Sequence, residues 1–320
     1  MTLTQLEYIL AVESHASFVK AAAACHVTQP SLSAQIIKLE KELGIQIFER
    51  SNVNFRVTDA GKEILQQARL IISQTDQIIN LCQVYKKEFR GTLKLGIIQT
   101  ISPYLIPHFI NEIARLYPHL KLEIHENKTE SLITDLSKGL LDAAILSTPK
   151  VAPANLMEKV LYYEPFVFFA GLQHPLLKKK KISTQDLKEH APTLLDDTHC
   201  MRDQVEQVCQ QTDTTGKLIL KSATLATLIQ VVSHQNGYTL LPLMALGSLE
   251  AQIKMPQVVK FNEPIPTRKV SLVYLKSLAK RSLIDAVQSV IMQNLPEGIR
   301  TRPESGIKVL YPEASHFSSK

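Results

Sequence analysis

Apolar residues near the start of the chain recur at helical spacing. Leu3, Leu6, Tyr8, Ile9, Leu10 and Val12 predict a first helix, with Thr2 or Thr4 available as its N-cap. Ser17 precedes a short helix over Phe18–Ala24, a tight turn follows around His26 and Val27, and Thr28 opens another helix with Pro30 in its first turn. That helix buries Leu32, Ile36, Leu39 and Leu43 and stops at Gly44, a residue at ease in a left-handed C-terminal conformation. Its other face shows Gln29, Ser31, Ser33, Gln35 and Lys38. Ile45–Phe48 and Phe55–Val57 predict two short strands around the turn-forming Ser51-Asn52-Val53-Asn54. The rhythm is that of a helix-turn-helix followed by a β-wing.

A long helix is predicted from Asp59. Ile64, Ala68, Ile71, Thr75, Ile78 and Cys82 alternate at spacings of 4 and 3 residues, the seam of a coiled coil that would pair two copies of the chain. A single amphipathic helix packed on its own chain accommodates the same pattern. Beyond Gly91, strands at Thr92–Ile98, Leu120–His125 and Ala143–Leu146 alternate with helices at Leu105–Tyr117 and Ser131–Lys138, which implies parallel α/β construction. Further strands at Pro165–Phe169, Thr239–Leu241 and Val270–Tyr274 and a final helix near Leu283–Gln293 suit two α/β lobes joined by two crossovers. After Pro296 periodicity is lost, and a weakly ordered tail is expected. The expected domains are 1–58, a winged helix-turn-helix; 59–90, a linker and dimerisation helix; 91–299, a two-lobed α/β unit; and 300–320, the tail. Lobe I is expected at about 91–163 and 269–299 and lobe II at about 164–268.

Charge changes this picture little. The 320 residues carry a net charge of +6, yet residues 1–90 hold ten Lys/Arg against nine Asp/Glu, so charge does not locate a nucleic-acid site. Lys178–Lys181 is the one charge run and is expected to be a solvated loop. No stretch reaches the roughly 18 apolar residues of a membrane span and Met1–Phe18 lacks the form of a signal peptide, so a soluble cytoplasmic protein without membrane contact is expected. His108, His125, His174, His190 and His234 show no ligand spacing, and neither a metal nor a cofactor is expected. The complete helix-turn-helix and linker argue against enzymatic turnover as the purpose of the chain.

A recognition helix enters the major groove with short polar side chains near its N-terminus, because base edges offer donors and acceptors at that depth. Gln29, Ser31, Ser33 and Gln35 supply them, while the helix start at Thr28, Gln29 and Pro30 and the cations Lys38, Arg50 and Arg56 suit phosphates. The run FVKAAAACHVTQPSLSAQIIKLEKELG at 18–44, with FER at 48–50 and VTDAG at 57–61, resembles the LysR-type signature. The resemblance implies a winged helix-turn-helix, a linker helix and an effector domain like a periplasmic binding protein. It also implies a homodimer or homotetramer on a two-fold symmetric DNA operator, acting with RNA polymerase.

Of the four cysteines, Cys25, Cys82, Cys200 and Cys209, only the last two are close in sequence. His199 and Arg202 flank Cys200, and positive neighbours lower a thiol pKa. A helix over Arg202–Gln211 would hold the two thiols roughly 13 Å apart, whereas a disulfide needs Cα atoms within about 7 Å. Pairing would therefore require the segment to unwind. Two buried structural cysteines fit the same residues. HCMRDQ at 199–204 with Cys209, PYLIPH at 103–108, LLP at 240–242 and PTRK at 266–269 are similar to the peroxide-sensing members of the family, over roughly residues 1–295. That resemblance implies that Cys200 is the peroxidatic and Cys209 the resolving cysteine. It also implies that Thr100, Thr129, His199, Asp203 and Arg268, with Arg202 nearby, surround hydrogen peroxide, and that a cellular dithiol reverses the reaction. A small organic effector bound between the lobes is the alternative.

Overall fold

The computed structural model describes residues 1–50, 55–86, 89–150, 155–196, 199–209, 224–248, 257–276, 278, 280–300 and 305–317. The chain divides into two compact units, Met1–Lys87 with Ser277–Arg281 and Glu88–Lys276 with Ser282–Lys320.

The first unit contains α1 (Leu3–His15), α2 (Phe18–Ala24), α3 (Gln29–Leu43), β1 (Phe48–Arg50), β2 (Phe55–Val57) and α4 (Asp59–Lys86). The start signals act as expected. Thr2 and Gln5 form a reciprocal capping box on α1, Ser17 accepts from the Lys20 amide, and Thr28 accepts from the Ser31 amide. Leu6, Ile9, Val12, Leu32, Ile36 and Leu39 close one core with Leu65 and Ala68 of α4. The first wing strand runs over Phe48–Arg50 rather than the expected Ile45–Phe48, and the buried Glu40 carboxylate accepts from the Ile47 amide at 2.8 Å and the Phe48 amide at 3.2 Å. Glu40 of α3 thus pins the chain before the wing, and the β1–β2 ladder begins at Phe48↔Val57. The predicted turn at 51–54 lies outside the described residues.

The heptad seam splits. Ile64 and Ala68 pack on the helix-turn-helix, where Arg69 also pairs with Glu13, whereas Ile71 and Ile78 are exposed on the single chain. The Cys82 side chain is outside the described set. Ala16 ends α1 at φ 46°, a left-handed conformation that a Cβ disfavours. Ala16→Gly is expected to stabilise this unit by about 0.5–1 kcal/mol, checked by urea unfolding; a lower midpoint would contradict it.

The second unit carries β3 (Gly91–Ile98), α5 (Ser102–Leu116), β4 (Leu120–Asn127), α6 (Thr129–Ser137), β5 (Ala143–Ser147) and β6 (Leu156–Ala170). Then follow β7 (Lys181–Ile182), α7 (Cys200–Cys209), α8 (Leu225–His234), β8 (Tyr238–Pro242), α9 (Leu243–Ser248), β9 (Val258–Phe261) and β10 (Ile265–Leu275). Finally come α10 (Arg281–Gln293), α11 (Glu297–Arg300) and β11 (Ile307–Leu310). The strand order is β4-β3-β5-β10-β6-β9-β7, with β8 also on β6 and β11 also on β10. β3, β4 and β5 are parallel, as the alternating pattern predicted. β6 and β10 run antiparallel over Leu156–Pro165, after which β6 continues into the second sheet against β8 and β9. These two long strands are the crossovers between lobes.

One expectation fails outright. The segment after Pro296 is not weakly ordered where it is described: α11 follows it directly, β11 pairs in parallel with Ile265–Arg268 of β10, and Ala314–Phe317 forms a 3-10 turn. Phe317 and Leu310 are buried. The polar composition hid a strand whose partners on β10 lie about forty residues upstream. Lys178–Lys181 does face solvent, between a 3-10 turn and β7, with Lys179 paired to Asp186. No described helix is long and apolar enough to cross a membrane.

Candidate functional site

The α3 face carries the residues suited to DNA. Thr28, Gln29, Pro30, Ser31, Gln35 and Lys38 are exposed and Ser33 is half-buried. Arg56 on β2 is also exposed, whereas the Arg50 side chain is outside the described set. Gln35 is held at its oxygen: the side-chain amide of buried Gln5 donates to the Gln35 Oε1 at 3.1 Å. Gln5 carries no sequence signal for this role, since a polar residue at a core position reads simply as a break in the pattern.

In the second unit the thiol segment is helical from Cys200 onward. Residues 200, 201, 204, 205, 208 and 209 are buried, a stripe two residues wide at the helical period. Nine residues make two and a half turns, so Cys200 and Cys209 lie at opposite edges and opposite ends of that stripe, roughly 13 Å apart along the axis. Both thiols are free and buried. The geometry forbids a disulfide while α7 stands.

The two sulfurs have different surroundings. Cys200 is the first residue of α7, and both the Thr129 hydroxyl at the start of α6 and the positive charge of Arg268 favour its thiolate; burial nonetheless pushes the thiol above its ordinary value. This corrects the expectation drawn from sequence neighbours. His199 is driven toward its neutral form by burial, against the pull of Asp196, and Arg202 Nε is committed to Glu206 at 2.9 Å. The groups that favour a Cys200 thiolate are Thr129 and Arg268, which are distant in sequence. Cys209 sits in a more apolar setting, and burial pushes it to about 11. The Tyr238 hydroxyl lies 3.2 Å from its sulfur and 2.9 Å from the His190 carbonyl oxygen, so one phenolic proton serves two acceptors.

Arg268 organises the rest. It is 1% exposed, its Nη1 donates to Thr100 Oγ1 at 3.2 Å, its Nη2 donates to the Thr100 carbonyl at 3.0 Å, and it pairs with Glu164 at 2.7 Å. Glu164 is itself buried and also accepts from the Met244 amide. The sequence reading missed Glu164, because a carboxylate amid a strand reads as a surface position. Thr100, Thr129, Arg268 and Cys200 thus converge, with His199 adjoining. Asp203 acts electrostatically on Cys200, but its Oδ2 is held by the His316 ring at 2.8 Å and by the Glu313 amide at 3.2 Å. His316 is pushed above its ordinary value, chiefly by that bond to Asp203. Among the described residues no cluster of three or more His, Cys, Asp or Glu side chains is placed to hold a metal ion.

Comparison with known proteins agrees with both halves. Residues 3–62 match the bacterial regulatory helix-turn-helix protein model of the lysR family, and residues 86–295 match the LysR substrate binding domain. A hydrogen peroxide-inducible genes activator of Pectobacterium carotovorum subsp. carotovorum is 32% identical over 295 residues, 92% of this chain and 97% of that protein. The DNA-binding transcriptional dual regulator OxyR of Escherichia coli strain K12 is 32% identical over 294 residues, 91% and 95% of the two chains. A full-length OxyR cysteine-to-aspartate variant from Pseudomonas aeruginosa superposes with a TM-score of 0.80 at 34% identity, covering 95% of this chain and 98% of that one. The chain therefore belongs to the LysR family of helix-turn-helix transcription regulators.

Proposed function

We propose that this protein is a hydrogen-peroxide-sensing transcription regulator, switched by a reversible disulfide between Cys200 and Cys209. The observation that carries the reading is the placement of two free thiols at opposite ends of one buried helix, with Thr129 and Arg268 gathered around only one of them. The relatives named as peroxide-inducible activators support it, as does a solved OxyR cysteine-to-serine variant of Corynebacterium glutamicum described as hydrogen-peroxide-bound, at 27% identity and a TM-score of 0.62.

The chemistry balances on these residues. The Cys200 thiolate attacks one peroxide oxygen, an S–O bond forms, the O–O bond breaks, and the departing hydroxide takes a proton to become water. Arg268, held by Glu164, and the hydroxyls of Thr100 and Thr129 suit the charge that develops on the leaving oxygen. Cys209, once free of Tyr238, attacks the sulfenic sulfur; the S–S bond forms, the S–O bond breaks and a second water leaves. Two thiols supply the two electrons, and a cellular dithiol returns them. Because the disulfide cannot form across an intact α7, oxidation must remodel this segment, and that remodelling is the signal passed to the DNA-binding unit.

The regulator acts in the cytoplasm as a homodimer or homotetramer on a two-fold symmetric double-stranded operator, where it recruits RNA polymerase; its output is transcription, not turnover. Exposed Ile71 and Ile78 on α4 support pairing of two copies. The test is footprinting on such a duplex with the chain reduced and after mild peroxide. The expected result is protection in at least one state and a change in its pattern on oxidation; identical footprints would overturn the reading.

The raised Cys200 thiol carries a pH prediction. Below its pKa the thiolate fraction grows about tenfold per pH unit, so the rate of Cys200 oxidation is expected to climb steadily from about pH 6 to about pH 8. Stopped-flow kinetics that were flat over that range would contradict it.

A further inference from the structure

Four hydrogen bonds tie the described tail to the helix that carries both thiols. The Gln204 side-chain amide donates to the Leu310 carbonyl at 3.0 Å, and the Gln207 amide donates to the Tyr311 carbonyl at 2.7 Å. Asp203 Oδ2 receives the Glu313 amide and the His316 ring. All four are made by the first two turns of α7. Gln204, fully buried, also donates to Ser147 Oγ at 2.9 Å.

The sheet explains why the tail can reach. Along one edge of β10, β5 pairs with Val270–Val273 and ends at Ser147, and β11 takes over at Ile265–Arg268 and ends at Leu310. One Gln204 amide therefore clamps the point where β5 and β11 meet. Entry to β11 is set by Gly306 at φ 75°, packed against the Glu263 carboxylate where a Cβ would collide. The 3-10 turn Ala314–Phe317 then packs on α6, the helix that supplies Thr129. The LysR substrate-binding match ends at residue 295, so it assigns none of this.

We propose that residues 305–317 are a tether on the redox helix, with His316 a positioning residue that holds Asp203 and the first turns of α7 in place. The proposal rests on the disulfide reading above for its consequence: the tail must let go before Cys209 can reach Cys200. It opposes the resolving step while leaving the first attack on peroxide to Cys200 and its own neighbours. Formation of the disulfide conversely releases the tail, which makes this segment a second output of the switch. Asp203, Glu313 and Glu130 are the acidic groups facing the His316 ring, and all three favour its charged form. The bond is accordingly strongest where the His316 ring is charged and Asp203 ionised, and it weakens as pH rises through the raised His316 pKa.

The test uses the full chain with His316→Ala, His316→Gln and Gln207→Ala. In the reduced chain without peroxide, amide exchange within 200–209 is expected to quicken about tenfold in His316→Ala, in keeping with loss of one charge-assisted hydrogen bond. His316→Gln, which keeps an N–H donor, is expected to stay within about threefold of the parent, and exchange in β3 and β6 is expected not to change. A fall in protection throughout the unit in His316→Ala would point to general unfolding; Gln207→Ala, at an exposed position, then decides, and local loosening of 200–209 supports the tether. After peroxide, exchange over 307–317 in the parent chain is expected to accelerate with disulfide formation. Unchanged exchange at 200–209 in both His316→Ala and Gln207→Ala overturns the tether. Loosened α7 in the variants, together with a parent chain that forms no disulfide after peroxide, supports the tether and sinks the disulfide reading instead.

Discussion

Cys200→Ser is expected to abolish the peroxide response, whereas Cys209→Ser is expected to stop it halfway, with a sulfenic acid trapped on Cys200. The asymmetry follows from the two environments. The Thr129 hydroxyl and the positive charge of Arg268 both favour a thiolate at Cys200. At Cys209 burial dominates, Glu206 adds negative charge and only the shared Tyr238 proton opposes them. A sulfenic-acid-specific probe, followed by mass analysis, is expected to label the Cys209→Ser chain on Cys200 and to leave Cys200→Ser unlabelled. Labelling of Cys209 in the Cys200→Ser chain would reverse the assigned roles. Serine is close in size to cysteine and both sites are well packed, so neither variant is expected to fold differently.

The second large effect concerns Arg268 and Glu164. Both are 1% exposed, and removing one partner strands the other charge in the interior. Arg268→Met is expected to cost about 3–5 kcal/mol, or a fall of about 10 °C in the melting temperature of this unit. Glu164→Gln strands Arg268 in the same way, and the double variant is expected to recover much of the loss, because replacing both members of a buried pair with neutral groups removes the desolvation penalty. Melting curves of the three chains decide this. Additive losses in the double variant would mean that the two side chains act independently. The oxidation rate is expected to fall in every chain lacking Arg268, stable or not, since Thr100 loses the guanidinium that holds it.

Much of the DNA-binding unit was legible because its signals are local. Thr2, Ser17 and Thr28 cap the helices they precede, Gly44 ends α3, and the apolar spacing marks the core face. The LysR signature then supplied the family. What the pattern missed depends on partners far along the chain. β6 was read as Pro165–Phe169 but runs from Leu156 to Ala170, because Glu158 and Lys159 break the apolar run. Those side chains are satisfied by Lys269 and Asp285 across the fold. β10 was likewise read short, since Arg268 and Lys269 look like surface residues until Glu164 and Glu158 are seen beside them. The tail failed for the same reason: Leu310 and Phe317 are buried, but only against elements the local pattern does not name. At the thiols, neighbours in sequence suggested His199 and Arg202 as activators, whereas neighbours in space are Thr129 and Arg268. The nine-residue separation of the cysteines is the one part of the switch that sequence and structure state alike.

The central claim is that oxidation joins two sulfurs that the reduced fold holds apart. The most direct measurement is peptide mass spectrometry of the full chain before and after one equivalent of hydrogen peroxide, with a dithiol reversal step. The account predicts that the peptides carrying Cys200 and Cys209 become linked with loss of two hydrogens, that Cys25 and Cys82 stay free, and that the dithiol restores both thiols. Unlinked cysteines after peroxide, or a bond from Cys200 to any cysteine other than Cys209, would contradict it.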